Sequence, residues 1–144
     1  MENKENLKEY MLKEIEIIQD IIKRMAFNSF MIKGWAITLV VVALLFRGTE
    51  YKVLIAFIPL LVFWFLDAYF LWQERMYRKL YDWVINNRLK TDDYLFNMNA
   101  YRFKDQVKSK LRIMFSTTLC WFYGSIAFLI IIYVLILLIT KKGV

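Results

Sequence analysis

Asp67 and Lys33 are the two side chains whose type and setting most directly point to chemistry. Each lies inside a long apolar run of the chain. A charged group in such a run is costly, and is normally paired or turned toward a protein or aqueous interior. Asp67 lies five residues inside Trp72, and Lys33 lies seven inside Ala26, counting from the flank on one side. On antiparallel helices these depths match, so an intramembrane Lys33–Asp67 ion pair is expected. The competing readings are a Lys33 that snorkels to the headgroups and an Asp67 bonded locally, near Tyr69 or Trp72. An intramembrane enzyme built on Asp67 would have only Lys33 as a second group at its depth.

The composition closes most catalytic routes. The chain has no histidine, which removes the commonest general base and metal ligand. Its one cysteine, Cys120, sits in the middle of an apolar run and is expected to be a small buried residue rather than a metal ligand. The four glycines form no phosphate loop, and there is no nucleophile elbow or metalloprotease motif. No enzyme activity, cofactor or metal is expected.

Two further patterns carry possible function. Arg88, Lys90, Arg102, Lys104, Lys108 and Lys110 are interleaved with Tyr94, Phe96, Tyr101 and Phe103. Cations among stacking rings suit a nucleotide, a single-stranded nucleic acid or anionic lipid. Membrane topology alone also places such residues at a cytoplasmic interface. Met11, Ile15, Ile18, Ile22 and Met25 follow the 4-3-4-3 spacing of a coiled-coil seam, within an amphipathic helix over 5–25. That seam serves self-association, or packs on the 73–112 segment, or lies on the membrane.

These residues must be positioned by three apolar runs: Ala26–Phe46, Val53–Trp72 and Ile113–Ile139, of 21, 20 and 27 residues. At about 1.5 Å per residue each is long enough to cross a hydrocarbon core of roughly 30 Å. Residues 1–25 carry six acids and no apolar core before a cleavage site, so they are not expected to be a signal peptide. With three spans, fifteen Lys and Arg fall on the side of the N-terminus and the 73–112 segment, against four on the other. That bias places the N-terminus in the cytoplasm and the C-terminus outside. The formal charge of +7 adds attraction to anionic partners on that side.

The expected fold is all-α, a single membrane domain over 1–144. It comprises a cytoplasmic amphipathic helix (1–25), the span 26–46, the span 53–72, a helical cytoplasmic segment (73–112) and the span 113–139. The turn Arg47–Lys52 is short, so the first two spans form a hairpin. Helix 1–25 can run directly into the first span, and one helix is expected from about 53 to about 87, kinked at Pro59. Asn97 or Asn99 is expected to cap a basic helix over about 99–112 that continues into the third span. Ser116, Thr117, Thr118, Tyr123, Gly124 and Ser125 give that span a polar inner half, suited to helix packing or to lining a pore between subunits.

The stretch Phe63–Asp82 carries Asp67 and Tyr69, followed by Glu74, Arg75, Arg78, Leu80 and Tyr81. This Asp-x-Tyr followed by Glu-Arg-x-x-Arg-x-Leu-Tyr resembles small three-span bacterial membrane effectors of anti-phage defence operons, among them the Hailong effector channels. The resemblance covers about 20 residues specifically, plus the three-span layout. It implies a homotetrameric ion channel of the bacterial inner membrane. The channel would be held shut by a single-stranded oligodeoxyadenylate made by a partner nucleotidyltransferase. The expectation is therefore a homo-oligomeric, cytoplasmically gated channel. The alternative is a non-conducting membrane scaffold that recruits a cytosolic partner.

Overall fold

The structure, a computed structural model, describes residues 2–45 and 53–142; the expected Arg47–Lys52 turn lies outside them. The described residues are all-helical. Helix α1 is Glu2–Leu45, α2 is Phe57–Asn87, α3 is Lys110–Met114 and α4 is Thr117–Lys142. Single 3-10 segments occupy Leu54–Ala56 and Ala100–Gln106. Three stretches, Glu5–Leu45, Leu54–Asn87 and Thr117–Thr140, are long and apolar enough to cross a membrane. The chain therefore has the form of a multi-pass membrane protein.

The 44 residues of α1 run from the amphipathic segment into the first apolar run without a break. No proline interrupts them, and Gly34 costs only about 1 kcal/mol in a helix interior. Pro59 does not kink α2 from within, because it is the third residue of that helix. There its missing N–H is one of the donors a helix leaves unpaired anyway. The chain before it takes the tighter 3-10 form.

The expected helix over 99–112 is replaced by two shorter pieces, a 3-10 helix and α3. Asn99 caps a 3-10 helix by accepting a hydrogen bond from the Tyr101 N–H at 3.1 Å. Val107 is extended (φ −115°, ψ 142°) and ends it. Helix α3 then stops at Met114, and the third span starts at Thr117 rather than at Ile113. The break is held by Trp64, whose indole N–H donates to the Met114 carbonyl at 2.8 Å. Its ring packs edge-on against Phe115 and stacks on Tyr123. A carbonyl released inside an apolar environment needs such a partner.

The chain divides into two compact units, Met1–Asn28 with Phe70–Ser109, and Ser29–Tyr69 with Lys110–Val144. In the first unit the core is Ile18, Met76, Leu80, Val84, Ala100 and Phe103, all buried. Met76, Leu80 and Val84 recur every four residues, which lays one face of α2 inward. The proposed seam of α1 is engaged here within a single chain. Ile18 is fully buried, while Met11, Ile15, Ile22 and Met25 are half-buried. Glu9 pairs with Lys13 at 2.7 Å as its i,i+4 spacing predicts. Asp20 pairs with Lys23 at 3.3 Å.

In the second unit Ala36, Val40, Leu60, Leu119 and Ile130 are buried, but Phe30, Trp35, Trp121 and Phe128 are more than half exposed. So much exposed apolar surface is an aggregation liability in water, and a bilayer is the solvent that suits it.

Candidate functional site

The described residues of the second unit include a polar cluster centred on Asp67. Its carboxylate is fully buried on α2. Lys33 Nζ lies 2.6 Å from Asp67 Oδ2. The Ser29 hydroxyl donates to Oδ1, and Lys33 Nζ donates to that same hydroxyl oxygen at 2.8 Å. From α4, the Tyr123 hydroxyl reaches Oδ2 at 3.1 Å and the Phe63 carbonyl at 3.3 Å. Three helices thus converge on one carboxylate. A cation and two hydroxyls replace the water it has lost, which burial of a charge requires. Asp67 is bonded by Ser29, Lys33 and Tyr123, side chains brought in from the two other helices.

The first unit contains a second buried pair, which sequence reasoning missed. Glu14 and Arg88 are both fully buried. Arg88 Nε and Nη2 donate to the two Glu14 oxygens at 2.5 and 2.9 Å. Arg88 Nη1 donates to the carbonyls of Thr91 (3.2 Å) and Asp93 (2.8 Å), and Nη2 to that of Tyr94 (3.3 Å). The Phe96 N–H donates to Glu14 Oε1 at 2.7 Å. All five guanidinium N–H groups are then committed. Arg88, expected to serve a ligand, instead spends its donors within the protein as the clasp of the 88–96 loop. The clasp also explains why Tyr94 (φ 56°) and Phe96 (φ 53°) hold left-handed backbone that L-residues avoid. Glu14 sits on the apolar face of α1, three residues after Met11 and four before Ile18. An acid at that register was the available signal.

Arg102 is the opposite case. Its guanidinium carbon lies 4.4 Å from the Trp83 ring centroid, 4.7 Å from Tyr94 and 4.9 Å from Phe103. Its Nε and Nη2 are buried and have no hydrogen-bond acceptor in the protein. Burial holds this guanidinium below its ordinary pKa, with the Arg88 charge adding to the effect. Nε–H and Nη2–H form one edge of the guanidinium fork, the edge that grips two oxygens of a carboxylate or phosphate side by side. The rings occupy its faces and fix its plane. Of the three rings Tyr94 is the most exposed, at 61%.

The remaining residues of the basic segment are not gathered into one site. Lys90, Lys104 and Lys108 are exposed, and Tyr101 is half exposed with its ring edge-on to Trp72. Phe103 is buried and packs against Arg102. Lys110 belongs to the second unit, where its ammonium lies 5.2 Å from the Tyr69 ring. Cys120 is half-buried rather than enclosed, with Sγ 4.0 Å from the Met114 carbonyl. On α4, Thr117, Thr118 and Ser125 are exposed and Tyr123 is buried. Among the described residues no group of acidic or thiol side chains is arranged to hold a metal ion.

Taken together, the fold and its clusters define an all-helical chain of the multi-pass membrane class. No known protein family matches this chain, and no curated protein or solved structure is detectably similar to it.

Proposed function

We propose that this protein is a homo-oligomeric ion channel of the bacterial inner membrane, an anti-phage defence effector gated at its cytoplasmic face by an anionic nucleotide or single-stranded DNA. The observation that carries the reading is Arg102. A cation stacked on three rings, with its bidentate edge lacking a protein acceptor, is the arrangement that recognises a phosphate beside a base. Exposed Lys104 and Lys108 extend the positive surface along the same segment. In this reading the Tyr94 ring swings aside on binding, and α1 and α2, which contribute to both units, carry the population shift to the spans. The exposed Thr117 and Ser125 of α4 supply hydroxyls for a water path between subunits.

The test is ionic current across liposomes containing the purified protein, with and without a single-stranded oligodeoxyadenylate. The Arg102→Lys variant keeps the charge but loses the planar fork. Ligand-dependent current that Arg102→Lys makes insensitive to the oligonucleotide supports the reading. A bilayer that stays tight under every condition sinks it.

The scaffold reading rests on a different observation. Leu12 and Ile17 are left exposed on the first unit, at 56% and 42%. A stable complex with a cytosolic protein, abolished by Leu12→Ser with Ile17→Ser, is its discriminating result.

A further inference from the structure

A second ligand site lies outside both clusters. Within the first unit, α1 and α2 leave a cleft of about 500 Å³ lined by Gln19, Ile22, Lys23, Arg78, Tyr81 and Asp82. Gln19 Nε2 and the Tyr81 hydroxyl meet across it at 3.4 Å. The charges are ordered along the cleft. Lys23 stands three residues before the first apolar run, and Arg78 six residues after the second. Gln19 and Asp82 each lie one helical turn farther from those runs. The membrane-facing end is therefore cationic, and the far end carries a carboxylate and an amide.

That order reads as a headgroup. We propose that this cleft holds a zwitterionic aminophospholipid, its phosphate between Lys23 and Arg78 and its ammonium on Asp82. A phospholipid presents phosphate nearest the glycerol and amine farthest from it, the same sequence of charges that the cleft presents in mirror sign. Ile22 offers an apolar surface to the glycerol end.

Mixed sign decides against a polyanion. Lys23 already leans on Asp20 at 3.3 Å, and Arg78 on Glu74 at 2.7 Å. Lys23 and Asp20 are 75% and 69% exposed, so that pair holds weakly and Lys23 is free to turn to a phosphate, whereas Arg78 keeps the buried Glu74 through Nε and Nη2 and, 61% exposed, offers its remaining N–H groups. With Asp82 beside them, a ligand of net negative charge gains little. A ligand carrying both charges satisfies both ends. Basic pockets between membrane helices at the headgroup level are established lipid sites. This cleft adds an acid that selects for a hydrogen-bonding amine.

The experiment is native mass spectrometry of the full-length protein released from nanodiscs of equal phosphatidylethanolamine, phosphatidylglycerol and phosphatidylcholine. The expected result is several-fold retention of phosphatidylethanolamine over the other two. Asp82→Asn abolishes the preference over phosphatidylcholine, whose quaternary amine donates no hydrogen bond. Lys23→Gln with Arg78→Gln lowers retention of every lipid. Circular dichroism of each variant checks that helix content is unchanged. Equal retention of the three lipids, or an Asp82→Asn variant that keeps the preference, overturns the proposal. Binding of water-soluble glycerophosphoethanolamine as tight as that of the lipid assigns the cleft to a soluble ligand, and overturns the lipid assignment.

Discussion

Arg88→Met separates a structural clasp from a ligand-binding arginine. In the folded chain Arg88 makes five hydrogen bonds, two to Glu14 and three to backbone carbonyls of the 91–94 loop. Removing it leaves the Glu14 carboxylate buried with the Phe96 N–H as its remaining hydrogen-bond partner. Breaking one side of a buried pair costs about 3–5 kcal/mol. The loop carbonyls add little, because residues 92–97 are exposed and water replaces the guanidinium there. The cost therefore falls on the contact between Glu14 and the loop. It also withdraws the support for two left-handed residues, Tyr94 and Phe96. Hydrogen exchange in detergent reads this directly. At 1.4 kcal/mol per decade, the Phe96 amide is expected to exchange roughly two to three and a half decades faster in the variant. Glu14→Gln, which keeps the shape but strands the arginine charge, is expected to show a similar loss. The double variant Glu14→Leu with Arg88→Met, which also removes the Phe96 acceptor, is read by thermal unfolding in detergent and is expected to lose less stability than the sum of the single variants, because neither charge is then left unpaired. A Phe96 amide that keeps wild-type protection in Arg88→Met refutes the assignment of Arg88 as a clasp.

Three other outcomes follow from the geometry. Lys33→Glu and Asp67→Lys are each expected to cut the yield of folded protein sharply, and the double reversal to recover part of it; no recovery means the two charges act independently. Tyr123→Phe removes a donor to Asp67 and is expected to cost about 1.5–3 kcal/mol, the range for a hydrogen bond to a charged group, read by thermal unfolding in detergent. Pro59→Ala is expected to change stability by less than about 1 kcal/mol, since the ring sits in the first turn of α2; a loss of several kcal/mol would show that the proline has a packing role.

Helix period and charge revealed the spans and the long α2, because both are set by local composition. Lys33 and Asp67 were legible as partners because two antiparallel helices translate residue counts into depth. Ser29 and Tyr123 were not. A serine or tyrosine in an apolar run has many uses, and its choice of acceptor depends on how three helices pack. The break between α3 and α4 escaped for the same reason. Its cause is Trp64, 50 residues away, which satisfies the Met114 carbonyl. Glu14 and Arg88 are separated by 74 residues, and only the register of Glu14 on an apolar face hinted at burial.

The two arginine environments weigh against each other. Arg88 is enclosed and every donor is used, so its burial is balanced by hydrogen bonds. Arg102 has two buried donors with no protein acceptor and only ring faces for compensation. Cation–π contacts of this kind are worth about 0.5–2 kcal/mol each. An unmet buried donor costs about 1–3 kcal/mol, and more when the group is charged. Three such contacts and two unmet donors are of similar size, about 1.5–6 against about 2–6 kcal/mol, so the ring stack does little more than offset the cost of the unmet donors. In the proposed reading, a guanidinium held in one plane with two unmet donors is preorganised for an oxyanion, and the arriving anion would recover that cost.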